Sequence, residues 1–236
     1  EEPEKFRSMA AELAALKPDV ILASGGSASV AAKNATSTIP VVFMVVPDPI
    51  GSKLVDNLAH PGGNITGLTN FGVQLAAKRL EYLHEIIPNR TRIALLVNSN
   101  VQNTRQFIEE NEAAAAKLGL TVQAFDARTQ AELPRAFDAM VKARMQAVAP
   151  NAGGGFFQWR FDICKLALAH RLPVCAISRE VLEAGALLSY GPDQRAIFRR
   201  ATVYADKILK GAKISELPVE QPARFEFLVN GKTAKI

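Results

Sequence analysis

Short runs of apolar residues alternate with helix-like stretches along most of this chain, and this order restricts the possible fold more than any other feature. A strand that is apolar at nearly every position is buried on both faces, which is typical of parallel sheets covered by helices. The alternation therefore predicts an α/β chain with parallel sheets and helices on either side. Strands are predicted at 20–23, 41–46, 65–68, 93–97, 121–125, 147–149, 174–177 and 186–189, and helices at 3–16, 27–34, 73–87, 103–118, 130–143, 156–170 and 193–210.

The composition fits a globular chain that does not bind nucleic acid. The 236 residues are 48% hydrophobic, which is enough apolar material for one large or two modest domains. No apolar run reaches the roughly 18 residues that a membrane-spanning helix needs. The formal net charge is +5, but the basic side chains are scattered and their longest run is Arg199-Arg200. Nucleic-acid binding needs charge gathered on one face, so we do not predict it.

The two cysteines, Cys164 and Cys175, stand in apolar segments and lack the C-x-x-C spacing of zinc or redox sites. They are predicted either as two buried thiols or as one disulfide bridge, which only an oxidising compartment would permit. The sequence alone leaves both alternatives open.

Motifs for catalysis, nucleotide binding and metal binding are all incomplete. The segment G-G-S-A-S at 25–29 approaches the nucleophile elbow G-x-S-x-G, but Ser29 stands in place of the last glycine. The segment G-K-T at 231–233 resembles the end of a P-loop, but Glu226 stands where its first glycine must be. The three histidines are not paired by spacing with a nucleophile: His60, His84 and His170. We therefore predict no enzyme activity, no cofactor and no metal site.

Polar residues follow several predicted strands, at the sheet edge where open α/β folds bind ligands. Residues 24–29 read S-G-G-S-A-S, and their two glycines let the backbone approach a ligand beside a helix N-terminus, which suits a carboxylate. Asp48 lies between two prolines and is predicted as either a ligand contact or a turn residue. The other polar strand-end loops are 98–100, 150–155 and 189–192. Amides, hydroxyls and aromatic rings predict binding of a small organic molecule without its conversion.

Several segments, in the same order along the chain, resemble the substrate-binding proteins of bacterial ABC transporters in the tryptophan/tyrosine-type group. The likeness runs through almost the whole sequence. The segments are L-K-P-D-V-I at 16–21, A-A-K-N-A-T at 31–36, I-P-V-V at 39–42, D-P at 48–49, P-G-G-N-I-T-G at 61–67, S-Y-G-P-D at 189–193, I-L-K-G-A-K at 208–213 and L-P-V-E-Q-P at 217–222. The chain is identified on this basis as a member of that family.

The resemblance implies the fold of type I periplasmic binding proteins. Such proteins have two Rossmann-like α/β lobes with parallel sheets, joined by a multi-crossover hinge, and a ligand in the cleft between the lobes. One lobe would comprise residues 1–69 and 193–218, and the other 70–192 and 219–236. The resemblance also implies an initial strand and helix ahead of residue 1, and a last helix that begins at 230–235 and continues past residue 236.

The resemblance further implies which residues meet the ligand. The 24–29 turn of one lobe would offer donors to a carboxylate, with Asp48 on the adjacent loop. The predicted ligand-binding residues are Ser24, Gly26, Ser27, Ala28 and Asp48 in one lobe, and Asn98, Asn100, Asn151 and Tyr190 in the other. The glycine-rich segment 150–157 departs from the family's common pattern and leaves no evident carboxylate for an ammonium group. Amino acids, other carboxylates, small aromatics and amides therefore all stand as candidate ligands.

The implied function is capture of a small solute outside the cytoplasm and its delivery to an ABC transporter permease in the membrane. The resemblance implies a periplasmic or lipid-anchored protein that acts as a monomer, without nucleic acid as a partner. The alternative function is a ligand-sensing effector domain of a regulator or signalling protein, which would need a fused DNA-binding or signalling segment.

Overall fold

The computed structural model describes residues 3–70, 75–101, 103–151 and 153–235. The chain divides into two compact units, each built from two separate stretches of sequence. The first unit comprises Glu2–Phe71 and Asp193–Arg224, and the second comprises Gly72–Pro192 and Phe225–Ile236. The chain therefore changes unit near residues 71, 192 and 224.

A parallel sheet forms the centre of the first unit. Its strands are β1 (Ile21–Ser24), β2 (Val41–Val46) and β3 (Ile65–Thr69), in the order β1-β2-β3. The helices of this unit are α1 (Pro3–Ala15), α2 (Gly26–Ala35) and α9 (Gln194–Leu209). Val41 and Phe43 pack on one face of the sheet with Ala32 of α2, whereas Val42 packs on the other face with Ile197 of α9. The run 41–46 is thus buried on both faces, as its continuous apolar sequence predicts.

Strand β2 contains a bulge at Val45. Its pairing with β3 shifts register between Met44 and Val46, and Val45 has a φ of 56°. Met44 and Val45 both pack on the α9 side, so that Val46 returns to the opposite face. A β-branched residue in the left-handed region is strained, and bulges often redirect the residues next to a functional site. Pro47 and Asp48 follow this bulge along the chain.

The second unit contains more strands and helices. Its strands are β4 (Arg92–Val97), β5 (Thr121–Asp126), β6 (Ala147–Pro150), β7 (Cys175–Ala176), β8 (Leu188–Pro192) and β9 (Phe225–Val229). Its helices are α3 (Ala76–Ile86), α4 (Thr104–Leu118), α5 (Leu133–Lys142), α6 (Gly154–Gln158), α7 (Arg160–Ala169) and α8 (Arg179–Glu183). The strand orders are β5-β4-β6 and β7-β8-β9, and a parallel bridge between Val148 and Val174 connects β6 with the start of β7.

The two cysteines are buried and unbridged. Cys164 lies in an apolar cluster with Phe137 of α5, and Cys175 lies in a different cluster with Leu188 of β8. Burial raises the pKa of Cys164 to about 11 and the pKa of Cys175 to about 12. Both thiols are therefore protonated at neutral pH, and the structure favours buried thiols over a bridge.

Several elements differ from the sequence prediction. The helix predicted at 156–170 is two helices, α6 and α7, which are separated by the single residue Trp159. Helix α8 was not predicted, because five residues are too few to show a helical period. Strand β9 was not assigned, and it runs antiparallel to β8. The helix predicted from 73 begins at Ala76 in the structure, and residues 73 and 74 lie outside the described residues.

The last change of unit comes later than the boundary predicted after residue 218. The N–H of Val219 donates to the Leu58 carbonyl at 2.7 Å, and the N–H of Glu220 donates to the Gly67 carbonyl at 2.9 Å. Glu220 also forms a parallel bridge with Leu68 of β3. Residues 219 and 220 therefore extend the sheet of the first unit, and the boundary falls at residue 224.

Candidate ligand-binding site

Gly25 turns the chain from β1 into α2. It has a φ of 84° and a ψ of 162°, a conformation that glycine adopts far more readily than other residues. Its N–H donates to the Met44 carbonyl at 2.8 Å, and the N–H of Asn70 donates to the Val46 carbonyl at 3.2 Å. Backbone hydrogen bonds therefore hold the carboxyl ends of β1, β2 and β3 together.

The start of α2 presents an open surface. Four predicted ligand residues lie here: Ser24, Gly26, Ser27 and Ala28. The two serines are exposed, and a Cβ added at Gly25 or Gly26 would meet no described atom within 4 Å. Ser29 does not belong to this surface, because it is fully buried and its Oγ donates to the Gly25 carbonyl at 2.6 Å. An accessible helix N-terminus beside hydroxyl groups can hold a carboxylate.

Asp48 closes a turn of its own. Its Oδ1 accepts a hydrogen bond from the N–H of Gly51 at 2.8 Å, and its carbonyl accepts the N–H of Ser52 at 3.1 Å. A Cβ at Gly51 would collide with the Asp48 carboxylate, which would have to rotate out of its present position in the turn. Of the two roles that the sequence left open, the structure shows the turn role. A ligand contact by Asp48 stays a prediction.

Asn98 and Asn151 come together through Thr104 at the carboxyl ends of β4 and β6. Both asparagines are only 3% exposed. Thr104 Oγ1 donates to the Asn98 carbonyl at 2.6 Å, and Asn151 Nδ2 donates to Thr104 Oγ1 at 3.4 Å. Asn98 Oδ1 accepts a hydrogen bond from the backbone N–H of Asn100 at 3.0 Å. The side chain of Asn100 is exposed at the loop surface. The amide of Asn98 therefore shapes the loop that presents Asn100.

Asp126 lies at the same edge and was not predicted as a site residue. Its two carboxylate oxygens accept the N–H of Ser99 at 2.8 Å and the Ser99 hydroxyl at 2.7 Å. Arg128 Nε lies 3.8 Å from Asp126 Oδ2. Strand β5 was predicted to end at 125, so the position of Asp126 immediately after it is the signal that could have found this residue.

Tyr190 lies inside β8 rather than in a loop after it. The strand was predicted to end at 189, but it continues to Pro192 because β9 pairs along it, with Phe227 opposite Tyr190. The Tyr190 ring packs against Tyr82 of α3 at a centroid distance of 5.0 Å and against Phe225 at 6.1 Å. The ring therefore packs within the second unit, and its contact with a ligand stays a prediction.

An open cavity of about 540 Å³ lies beside Ser99 and Asn100 in the second unit. Its remaining lining residues are Val101, Thr104, Arg105, Ile108, Glu109 and Glu112, most of which belong to one side of α4. Arg105 Nε pairs with Glu109 at 2.8 Å within this lining. The volume is in the range of small-molecule sites.

The chemistry at these strand ends is hydrogen bonding by amides, hydroxyls and backbone groups. Among the residues that the structure describes, no three His, Cys, Asp or Glu side chains are grouped so that they could hold a metal ion. In the described part of the chain, every helix is too short or too polar to cross a membrane. Away from the site, burial beneath β7 lowers the pKa of Arg79 to about 10.

Comparison with known proteins establishes the family. The whole chain, residues 1–236, matches the family described as ABC transporter substrate binding protein. The protein belongs to this family. A tyrosine-binding protein of Clostridioides difficile strain R20291 is 25% identical over 229 residues, which make up 97% of this chain. The chain spans 66% of the length of that relative, slightly less than two thirds.

Solved structures agree with this assignment. A conserved domain protein of Vibrio cholerae has a TM-score of 0.93 and 26% identity, over 99% of this chain and 78% of its own. An ABC domain of Streptococcus pneumoniae in complex with L-Trp has a TM-score of 0.90 and 26% identity, over 99% of this chain and 80% of its own. The substrate-binding protein has the two-lobed α/β fold of type I periplasmic binding proteins, and the predictions of family and fold class are confirmed.

Proposed function

We propose that this substrate-binding protein captures an amino acid outside the cytoplasm and delivers it to the permease of an ABC importer. Tyrosine and tryptophan are the first candidate ligands, because a similar protein is named for binding tyrosine and a similar structure holds L-Trp. In this proposal the protein acts as a monomer and does not change the ligand chemically.

The turn at Gly25 is the observation that carries this proposal. It joins an accessible backbone, the exposed hydroxyls of Ser24 and Ser27, and the N-terminus of the ten-residue helix α2. These features favour a carboxylate, which every free amino acid carries. The strand ends of the second unit add amides and hydroxyls, among them Asn100 and Asn151, which can bind the other polar groups of an amino acid.

Thermal unfolding in the presence of each of the twenty amino acids tests the proposal. A ligand present at 100 times its dissociation constant stabilises a protein by about 2.7 kcal/mol, which raises the melting temperature measurably. We expect tyrosine or tryptophan to give the largest rise, and uptake of that labelled amino acid to fall in cells that lack the gene. If none of the twenty raises the melting temperature, the protein does not bind amino acids.

Replacement of Ser27 tests the place of the carboxylate. We expect Ser27→Asp to weaken amino-acid binding about tenfold or more, because a fixed anion takes the place that the ligand carboxylate would occupy at the start of α2. The same charge should raise fold stability slightly, by about 0.3–1 kcal/mol, since it complements the helix dipole. Calorimetric titration gives the affinity and thermal unfolding gives the stability.

Ser37→Asp is the matched control, because Ser37 is an exposed serine just beyond the other end of α2. It adds the same charge away from the turn, and we expect its affinity to equal that of the wild type. Equal affinity of the Ser27→Asp variant and the wild type would place the carboxylate elsewhere.

A further inference from the structure

The hydroxyl of Ser178 is buried and lacks a hydrogen bond. Ser178 is 4% exposed, and its Oγ has no partner among the described residues. It precedes the five-residue helix α8, but its side chain makes no capping bond to that helix. Two other buried hydroxyls of this protein are satisfied: Ser29 Oγ donates to the Gly25 carbonyl, and Thr66 Oγ1 donates to the Leu217 carbonyl at 2.7 Å.

A buried hydroxyl without a partner lowers the stability of a folded protein, because it gives up its bonds to water and gains nothing in return. Alanine at the same position would avoid this loss. Native proteins satisfy most buried polar groups, so each exception needs an explanation, of which a missing ligand is one.

The place of Ser178 in the sheet supports a ligand as the missing partner. It lies two residues beyond β7, at the carboxyl edge of the parallel strands, where open α/β sheets bind their ligands. Val148 of β6 pairs with Val174, the residue just before β7. Three residues further along the sequence from this pair are Asn151 after β6 and Ile177 after β7. Ser178 thus follows the residue that is level with Asn151, one of the residues predicted to bind the ligand.

The backbone around Ser178 is held from several sides. Arg179 Nη2 pairs with Glu226 of β9 at 2.8 Å, and Asn230 Nδ2 donates to the Leu182 carbonyl at 3.1 Å. The carbonyl of Ile177 approaches β8 so closely that a Cβ at Gly191 would stand 1.9 Å from it. These contacts hold the backbone on either side of Ser178, and a fixed backbone limits the positions that its hydroxyl can take.

We propose that Ser178 is a ligand-binding residue of the second unit, and that its hydroxyl exchanges a hydrogen bond with a polar group of the bound amino acid. The proposal rests on the proposed function. It predicts that the hydroxyl lowers the stability of the ligand-free protein, where it has no hydrogen bond. It also predicts that the hydroxyl strengthens ligand binding, where it gains one.

The experiment compares Ser178→Ala with the wild type in two measurements. Thermal unfolding without ligand should give an unchanged or higher melting temperature for the variant, since an unsatisfied group has been removed. Titration with L-tyrosine, L-tryptophan or whichever amino acid stabilises the wild type should show an affinity about tenfold lower, the effect of one lost hydrogen bond to a charged group. Thr66→Val is the control, because it removes a buried hydroxyl that is satisfied. We expect it to lower the melting temperature and leave the affinity unchanged.

Each other outcome overturns the proposal. A lower melting temperature of ligand-free Ser178→Ala would mean that the hydroxyl has a partner inside the protein. Unchanged affinity in Ser178→Ala would remove Ser178 from the site and leave the proposed function intact, because the wild type still binds. A wild type that binds none of the twenty amino acids would overturn the proposed function and, with it, the role of Ser178.

Discussion

Gly191 marks the point at which two neighbouring strands leave no room for a side chain. A Cβ there would lie 1.9 Å from the Ile177 carbonyl oxygen and 3.0 Å from its carbon. Both atoms belong to the backbone, so the contact cannot be relieved by a side-chain rotation. The close approach holds the segment that follows β7 against β8.

Gly191→Ala is therefore expected to lower the free energy of unfolding by about 1–3 kcal/mol, the usual cost of forcing extra atoms into a packed interior. Urea denaturation measures the change. Gly26→Ala is the control, because a Cβ at Gly26 would meet nothing within 4 Å and alanine favours the helix that begins there. If the Gly191→Ala variant were as stable as the Gly26→Ala variant, the claim that no side chain fits at Gly191 would be wrong.

At the scale of the element, helix C-termini in this protein use two different residue types for the same conformation. Helix α4 is followed by Gly119 with a φ of 67°, whereas α5 and α7 are followed within two residues by Arg144 and Arg171, each with a φ of 54°. The N–H of Leu172 donates to the Ala167 carbonyl at 2.8 Å, which is the bond of a Schellman motif. Arginine pays a steric penalty in this region that glycine avoids.

Replacing Arg171 by glycine and Gly119 by alanine should change the free energy of unfolding in opposite directions. We expect Arg171→Gly to raise the free energy of unfolding by about 0.5–1 kcal/mol, because the relief of the left-handed strain exceeds the entropy that glycine adds to the unfolded chain. Gly119→Ala should lower it by about 1 kcal/mol, since no described atom lies within 4 Å of the added Cβ and only the backbone conformation resists. Chemical denaturation of both variants measures these changes. A loss of stability in Arg171→Gly would contradict the prediction.

At the scale of the whole molecule, the segment that leads to the last change of unit is fastened to α9. Arg200 forms two hydrogen bonds with the Glu220 carboxylate, at 2.7 Å and 2.6 Å. Tyr204 donates to the Pro218 carbonyl at 2.6 Å from the same helix. The hydrogen bonds from Arg200 lower the pKa of Glu220 below its ordinary value of 4.5.

A lowered pKa means that the folded protein favours the charged form of Glu220. Its contribution to stability is therefore complete above about pH 4.5 and is lost as the pH falls through the lower pKa of the folded state. We expect Glu220→Gln to lower stability at pH 7 by up to about 1 kcal/mol, because both side chains are partly exposed to water. The difference from the wild type should disappear in acid.

Thermal unfolding of both proteins as a function of pH measures this effect. Glu216→Gln is the control, because Glu216 pairs with Lys213 at 3.5 Å and both side chains are largely exposed. We expect no pH-dependent difference for that control. A Glu220→Gln difference that persists unchanged below pH 3 would show that the stabilisation does not come from the ionised carboxylate.

The sequence by itself determined the order of most elements. Continuous apolar runs such as 41–46 can be buried only inside a covered sheet, and glycines such as Gly119 end helices through their own backbone freedom. The turn after β1 was also evident, because two adjacent glycines before a helix have few other uses. These features depend on neighbours in the chain, which a sequence displays directly.

Only the tertiary structure decided which polar side chains are already hydrogen-bonded within the protein. Asn98 and Asp126 are bound to partners that come from other parts of the chain. Tyr190 became part of a strand because β9 returns to pair with β8, so that Phe227, 37 residues further along, lies opposite Tyr190. The bulge at Val45 and the burial of Ser178 likewise depend on distant segments packed against them. Such long-range contacts form only when remote parts of the chain meet, so local patterns of residues do not contain them.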